Sequence, residues 1–400
     1  MLADTFPPSK RAQAFALYGV TVIVAPALGP TIGGYITDNV SWHWIFFINV
    51  PMGLLSLTLV FLFVDEPETL RRERSELLSR GLKVDWLGFM LVALFLGCLE
   101  VVLDKGQEDD WFGSGFITSF ATVSLVAFLL FVPWELTRTD PIVDLRLLGR
   151  RNFGTSWFVM LAVGAILFST TQLMPQMLQA NFGYTATIAG LALMPGGFAA
   201  LLTMAIAGKL SSYIQPRYMM GGAMAGIAIA TYHFTSLEPD ANFGWFAAAR
   251  VFQMTAIPVL FLTITSYSYV GLPPDKSSQA SALINVARNL GGSIGVSMAQ
   301  TMLSRREQFH QSRLAESVTA SSLQYRDTLA QASSYFASHG ATGPDAQRQA
   351  VAWVGHALAN QTAYLSYIDV FDAFAVLAFV LIPLALLLRR VDLGRAAAAH

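Results

Sequence analysis

Two uninterrupted apolar runs, WLGFMLVALFLGCLEVVL (86–103) and FITSFATVSLVAFLLFVPW (116–134), constrain this chain more than any other feature. Each has the length of a hydrocarbon crossing, which takes roughly 20 helical residues. Only helices and closed barrels satisfy every backbone group in lipid. A barrel would show alternating strands of about ten residues, and these runs do not alternate. Comparable stretches recur, giving ten expected spans at about 14–36, 44–64, 85–104, 114–134, 153–176, 186–207, 218–237, 245–268, 278–302 and 369–389. The ninth is the least apolar, since it carries Ser, Gln, Asn and Arg. The opening MLADTFPPSKRAQ is mixed polar with no cleavage site after it, so the first span is expected to be retained.

Composition excludes the alternatives. Hydrophobic residues make up 54% of the 400, charged residues 13%, and mean hydropathy is +0.51. A soluble domain carries about 25% charged residues, and disorder needs the opposite balance. Cys98 is the only cysteine, which excludes a disulfide scaffold. A net charge of −1 gives no basic field for nucleic acid. The expected fold class is an all-α polytopic membrane protein.

Lys and Arg set the orientation. They cluster on alternate connections: Lys10 and Arg11; 71–83; 138–151; Lys209 and Arg217; Lys276; and 389–395. The short connections on the other side hold only Lys105. Both termini are therefore expected in the cytoplasm, as an even number of spans requires.

Cytoplasmic segments 65–85 and 135–152 divide the spans as two, two and six. The expected units are 1–64, part of an N-terminal bundle; 65–134, a loop and two additional spans; and 135–400, a six-span bundle. Residues 303–368 form a sizeable outer segment. Phe309, Leu314 and Val318, then Val351, Val354 and Leu358, follow helical spacing on either side of the breaker HGATGP (339–344). This predicts a helical hairpin outside the membrane, either a cap on the bundle or a docking surface.

In APALGPTIGG (25–34), Ala25, Gly29 and Gly33 share a helix face and admit a close neighbour, while Pro26 and Pro30 kink the helix. Such a helix suits a hinge between two halves, or simply a small-residue packing face. Gly196, Gly197, Gly291 and Gly292 read as close helix contacts.

APALGPTIGG resembles the antiporter motif in the fifth helix of exporters of the major facilitator superfamily. Gly29, Pro30, Gly33 and Gly34 match, and Ala25 stands where many members have glycine. WHWIFFINVPMG (42–53), LDKGQEDDWF (103–112), DPIVDLRLL (140–148), LMPGG (193–197) and SALINVARNLGGSIG (281–295) are similar to its fourteen-span drug:proton antiporter branch. The resemblance implies a helix bundle working by alternating access in a bacterial inner membrane. It implies amphipathic drugs and protons as substrates, a periplasmic adaptor and an outer-membrane channel as partners, and no cofactor. It also implies that the family's first four helices are missing here, with the acid and arginine they carry. A transport-incompetent fragment is one expectation that follows, and an exporter of a siderophore or other metabolite is another.

Charges inside spans are functional candidates. Arg288 lies about ten residues, roughly 15 Å, into its span, near the midplane. With Asn285 and Asn289 it could line a polar path or serve a structural role. Arg250 and Glu100 lie nearer the outer edge, where an ion pair between them is conceivable. Glu100 and Asp104 could carry protons or act as interfacial anchors, and Asp369 and Asp372 share that outer position. His233 could titrate or simply pack. Met194, Met204, Met254 and Gln172 could contribute to an apolar cavity. The chain has no phosphate-binding loop, metal-type His/Cys cluster or nucleophile elbow, so neither an enzyme nor a metal site is expected.

Overall fold

The computed structural model describes residues 28–63, 85–139, 141–211, 213–268, 272, 276–386 and 388. Ala25, Pro26 and nearly all of the 65–85 segment lie outside them. Among the described residues the chain is helical, with a helix at each expected span position. We label them α1 (28–39), α2 (Trp44–Phe63), α3 (Trp86–Lys105), α4 (Gly115–Thr137), α5 (Arg151–Asn181), α6 (Ala186–Leu210), α7 (Pro216–His233), α8 (Phe243–Ser268), α9 (Ser277–Ala315), α10 (Leu323–Ser338) and α11 (Gly343–Val380). A short turn, Ile382–Leu386, extends α11.

Among the described residues seven helices are both long and apolar enough to cross a bilayer: α2, α3, α4, α5, α6, α8 and α11 with its extension. α7 and α9 fall short because glycine and polar residues dilute them, and only the end of the first span is described. The outer surface is apolar. Phe61 is 86% exposed and Leu202 70%; in lipid such side chains need no cover.

The buried core runs from Leu147 to Leu388, among α5–α9 and α11. α5 and α9 form its tightest pair. A Cβ on Gly291 would overlap the Leu161 carbonyl, one on Gly164 the Arg288 carbonyl, and one on Gly295 the Ala165 backbone. Small residues thus bring the two backbones together, the usual basis of helix association in lipid. A Cβ on Gly292 would meet the Phe168 ring, and one on Gly196 would crowd Arg250 and Met254.

α3 and α4 form their own pair. Asp85 caps α3 by accepting from the Gly88 amide at 2.9 Å and takes the Trp134 indole N–H of α4 at 3.0 Å. The Gly88 bond, followed by the Trp134 bond and the Arg138 charge, holds the Asp85 carboxyl below its ordinary range. Ser124 Oγ donates to the Phe95 carbonyl at 2.9 Å, joining the pair deeper in the membrane. Near the same cytoplasmic end Glu135 is 1% exposed and accepts from the Val143 amide at 3.3 Å.

The outer segment differs from a plain hairpin. α9 continues unbroken to Ala315, α10 is a further helix packed against α11, and α11 begins at Gly343, well before the expected span edge at 369. The breaker lies where HGATGP stands, with Gly340 at φ +97°, a left-handed conformation natural to glycine.

Candidate functional site

Three features stand out as candidate sites. The first is the contact between α1 and α6. A Cβ on Gly34 would overlap the Ala186 carbonyl, and one on Gly190 would overlap the Pro30 carbonyl. Pro30 and Gly34, four residues apart, therefore make the close approach. Gly29 and Gly33 have nothing within 4 Å of an added Cβ among the described residues, so the Gly29/Gly33 face is not the one in contact. Asp38 ends the interface, its Oδ2 accepting the Thr187 amide at 2.7 Å and the Thr187 hydroxyl at 2.6 Å. Thr187 lies in the first turn of α6, where the helix dipole also favours an anion. The Thr187 hydroxyl bond, then the amide bond, lowers the Asp38 pKa. In the orientation set by Lys and Arg, this contact lies at the outer ends of both helices.

The second is a polar cluster around Arg250 of α8, which is 2% exposed. Its Nη1 donates to Gln253 Oε1 at 2.7 Å and its Nη2 to Thr171 Oγ1 at 2.6 Å. Gln253 Nε2 donates onward to Thr170 Oγ1 at 3.2 Å. Gln253 is one helical turn from Arg250; Thr170 and Thr171 come from α5. Glu100 lies elsewhere, so the conceivable Glu100–Arg250 pair does not form. Among the described residues no carboxylate pairs with Arg250, and its charge is met by an amide and hydroxyls.

The third is a polar stripe along α9. Asn285, Asn289, Ser293, Ser297 and Gln300 recur at intervals of three or four, and Arg288 flanks them. Asn285 donates to its own helix at the Ser281 carbonyl, 3.0 Å away. The Arg288 guanidinium lies 6.0 Å from the Phe261 ring centre of α8, with Nε 3.5 Å from Asn289 Oδ1. Ser293 Oγ is 3.0 Å from Glu100 Oε1, joining α9 to α3. Beyond it opens a cavity of about 410 Å³ between α3, α5 and α9. Glu100, Asp104 and Gln172 lie on its wall.

His233 stands apart, exposed at the end of α7. Its ring centre lies 5.5 Å from Trp245 and 6.2 Å from Phe252, and Ser236 Oγ is 3.3 Å from its Nδ1. Asp369 faces His310 Nε2 at 2.7 Å and Arg306 Nε at 2.9 Å, tying α11 to α9.

Arg250 stands out in the sequence as an intramembrane charge, whereas Thr170 and Thr171, which lie 80 and 79 positions from it, do not. Gln253, at i+3 from a buried Arg, was detectable. Asp38 and Thr187 were missed as well. Each sits at a helix end where polar residues are ordinary.

The described helices form a polytopic bundle in which α1 meets α6 through Pro30, Gly34 and Gly190. Comparison with known proteins identifies the family. Residues 1–296 match the model of the Major Facilitator Superfamily. The chain is 35% identical over 385 residues to the multidrug export protein EmrB of Escherichia coli K12, covering 96% of this chain and 72% of EmrB. It is 32% identical to the fatty acid resistance protein FarB of Neisseria gonorrhoeae, covering 96% of this chain and 73% of FarB. Its fold is similar to the crystal structure of a bacterial homologue of the human lysosomal transporter Spinster, with TM-score 0.51 and 16% identity, over the whole chain and 72% of that structure. The chain belongs to the major facilitator superfamily and is a multi-pass protein of the bacterial inner membrane.

Proposed function

We propose that this chain exports amphipathic drugs across the inner membrane, driven by proton entry and working by alternating access. The observation that carries this reading is the α1–α6 contact. Residues of the antiporter motif, Pro30 and Gly34, seat one helix on the other, and Asp38 on Thr187 closes the outer end. Such a contact can hold the outer side shut and open by rocking. The multidrug export protein EmrB, similar over nearly the whole chain, supports the substrate class. In this reading 1–64 belongs to one bundle, 65–134 carries the additional pair, and 135–400 forms the second bundle. Arg288, Asn285, Asn289 and Arg250 line or support the polar path. Glu100, Asp104 and His233 are the proton-linked candidates. No catalytic step is involved. The segment 303–368 is the surface assigned to a periplasmic adaptor, through which an outer-membrane channel would be reached.

The test is efflux of an amphipathic cationic dye from proteoliposomes containing the full chain under an imposed pH gradient. Dye movement that requires the gradient supports the proposal; movement that ignores its direction overturns it. The relative FarB motivates a second arm with a long-chain fatty acid. Transport of that anion instead of the dye would assign a metabolite exporter.

A further inference from the structure

We propose that the outer cavity between α3, α5 and α9 binds a small hydrophilic organic cation with several N–H donors, of the polyamine class. This concerns binding and does not rest on the transport reading.

Charge comes first. Glu100, Asp104 and Glu108 line the cavity and follow one another at i, i+4 and i+8. Among the described residues Lys105 is the one nearby cation, and it is committed to Glu108, with Nζ 2.6 Å from Oε2. Three carboxyl groups thus face the space with one ammonium beside them. Field lines concentrate in such a cleft when its walls are of low dielectric.

The rest of the wall is polar. Gln300 Nε2 donates to Gln176 Oε1 at 2.8 Å, bridging α9 and α5. Gln107 accepts the Trp111 indole N–H at 3.1 Å, fixing its side chain at the rim. Ser297 is 5% exposed, yet its Oγ has no partner among the described residues, and it lines the same cavity. A buried hydroxyl without a bond costs free energy, and a ligand donor would remove that cost.

Size and shape narrow the ligand. About 410 Å³ falls within the usual range for small-molecule sites, roughly 300–1,000 Å³, and greatly exceeds a bare ion. Leu103 and Val296 are the apolar lining residues, so a greasy cation gains little here. Carboxylates one helical turn apart are about 6 Å apart along the axis. Two ammonium groups joined by four methylenes span a similar distance. Each can donate to one carboxylate in a charge-assisted bond.

The experiment is equilibrium binding of spermidine to the purified full chain in detergent at low salt, without any gradient. Saturable one-to-one binding is expected, weakened at least tenfold in the Glu100→Gln/Asp104→Asn double variant and several-fold in Ser297→Ala. Tetraphenylphosphonium, a cation without N–H donors, should not compete. Thermal unfolding of each variant without ligand checks that the fold survives. If the double variant unfolds early, Ser297→Ala and Gln172→Leu carry the same comparison. Absence of saturable binding, binding unchanged by the substitutions, or displacement by tetraphenylphosphonium would overturn the proposal. A failure here leaves dye efflux untouched, so the two readings are judged separately.

Discussion

Asp38 and Thr187 are 149 residues apart in the chain, yet one carboxylate oxygen takes both the amide and the hydroxyl hydrogen of that threonine. The bond joins the end of α1 to the first turn of α6. Its pKa is lowered chiefly by those two bonds, so its stabilising contribution is complete above the ordinary aspartate value. That contribution is lost as pH falls through the lowered one. Hydrogen exchange at residues 186–188 should accelerate in Asp38→Ala at neutral pH. Acidifying the unsubstituted protein should lower the protection of the same amides relative to their intrinsic exchange rate. Equal protection in both proteins at neutral pH would count against the latch.

Two adjacent motif glycines, Gly33 and Gly34, should separate on substitution. Gly34→Ala places a methyl on the Ala186 carbonyl and forces α1 away from α6. Overpacking of this kind costs about 1–3 kcal/mol, seen as a lower Tm and loss of protection at the outer end. Gly33→Ala meets nothing within 4 Å among the described residues and gains helix propensity, so its Tm should hold or rise.

Arg250 should tolerate no truncation. Arg250→Met strands Gln253 and Thr171, whose bonds with it measure 2.7 and 2.6 Å. Unpaired buried polar groups cost about 1–3 kcal/mol each. Arg250→Lys keeps the charge but loses the planar fork that reaches both acceptors. Thermal unfolding in detergent should therefore rank unsubstituted, then Lys, then Met, and a Met variant matching the original would refute the network.

Asp369 should anchor the outer segment. It faces both His310 and Arg306 of α9, and its side chain is 25% exposed, which discounts the pair. Asp369→Asn should cost about 1 kcal/mol and raise hydrogen exchange in 305–313, leaving α3 and α4 unchanged.

Glu307, on the part of α9 beyond the expected span, has its pKa raised by burial. A raised carboxyl favours the folded state at low pH, and this advantage disappears as pH climbs through the raised value. Glu307→Gln should therefore match the unsubstituted protein in acid and become the more stable of the two as pH rises above 4.5. Parallel stability curves across that range would show that burial does not act on this group.

The fold was legible because spans are long and repetitive. The runs at 86–103 and 116–134 needed no tertiary information, and even the weakly apolar ninth span could be placed. The structure explains its weakness. One face of α9 is a polar stripe ending in the cavity, while Gly291 and Gly295 on another pack against α5. Helix ends were less legible: α11 begins at Gly343 because an extramembrane helix and a span share one unbroken register. Least legible were pairings across the bundle. Nothing in the local sequence marks Thr171 as a partner of Arg250, or distinguishes the face of Gly34 from that of Gly33. Those depend on which neighbour approaches, and periodicity along one helix is silent about the next.

The unbroken courses of α9 and α11 make the outer segment a pair of stiff levers. Helices bend little over such lengths without a proline or a bulge, and Asp369 lashes the two together near their root. Torque applied far outside the bilayer would reach the centre of the bundle without being absorbed by a flexible joint. A load on the outer segment would therefore pass along two continuous helices into the packed core of the bundle.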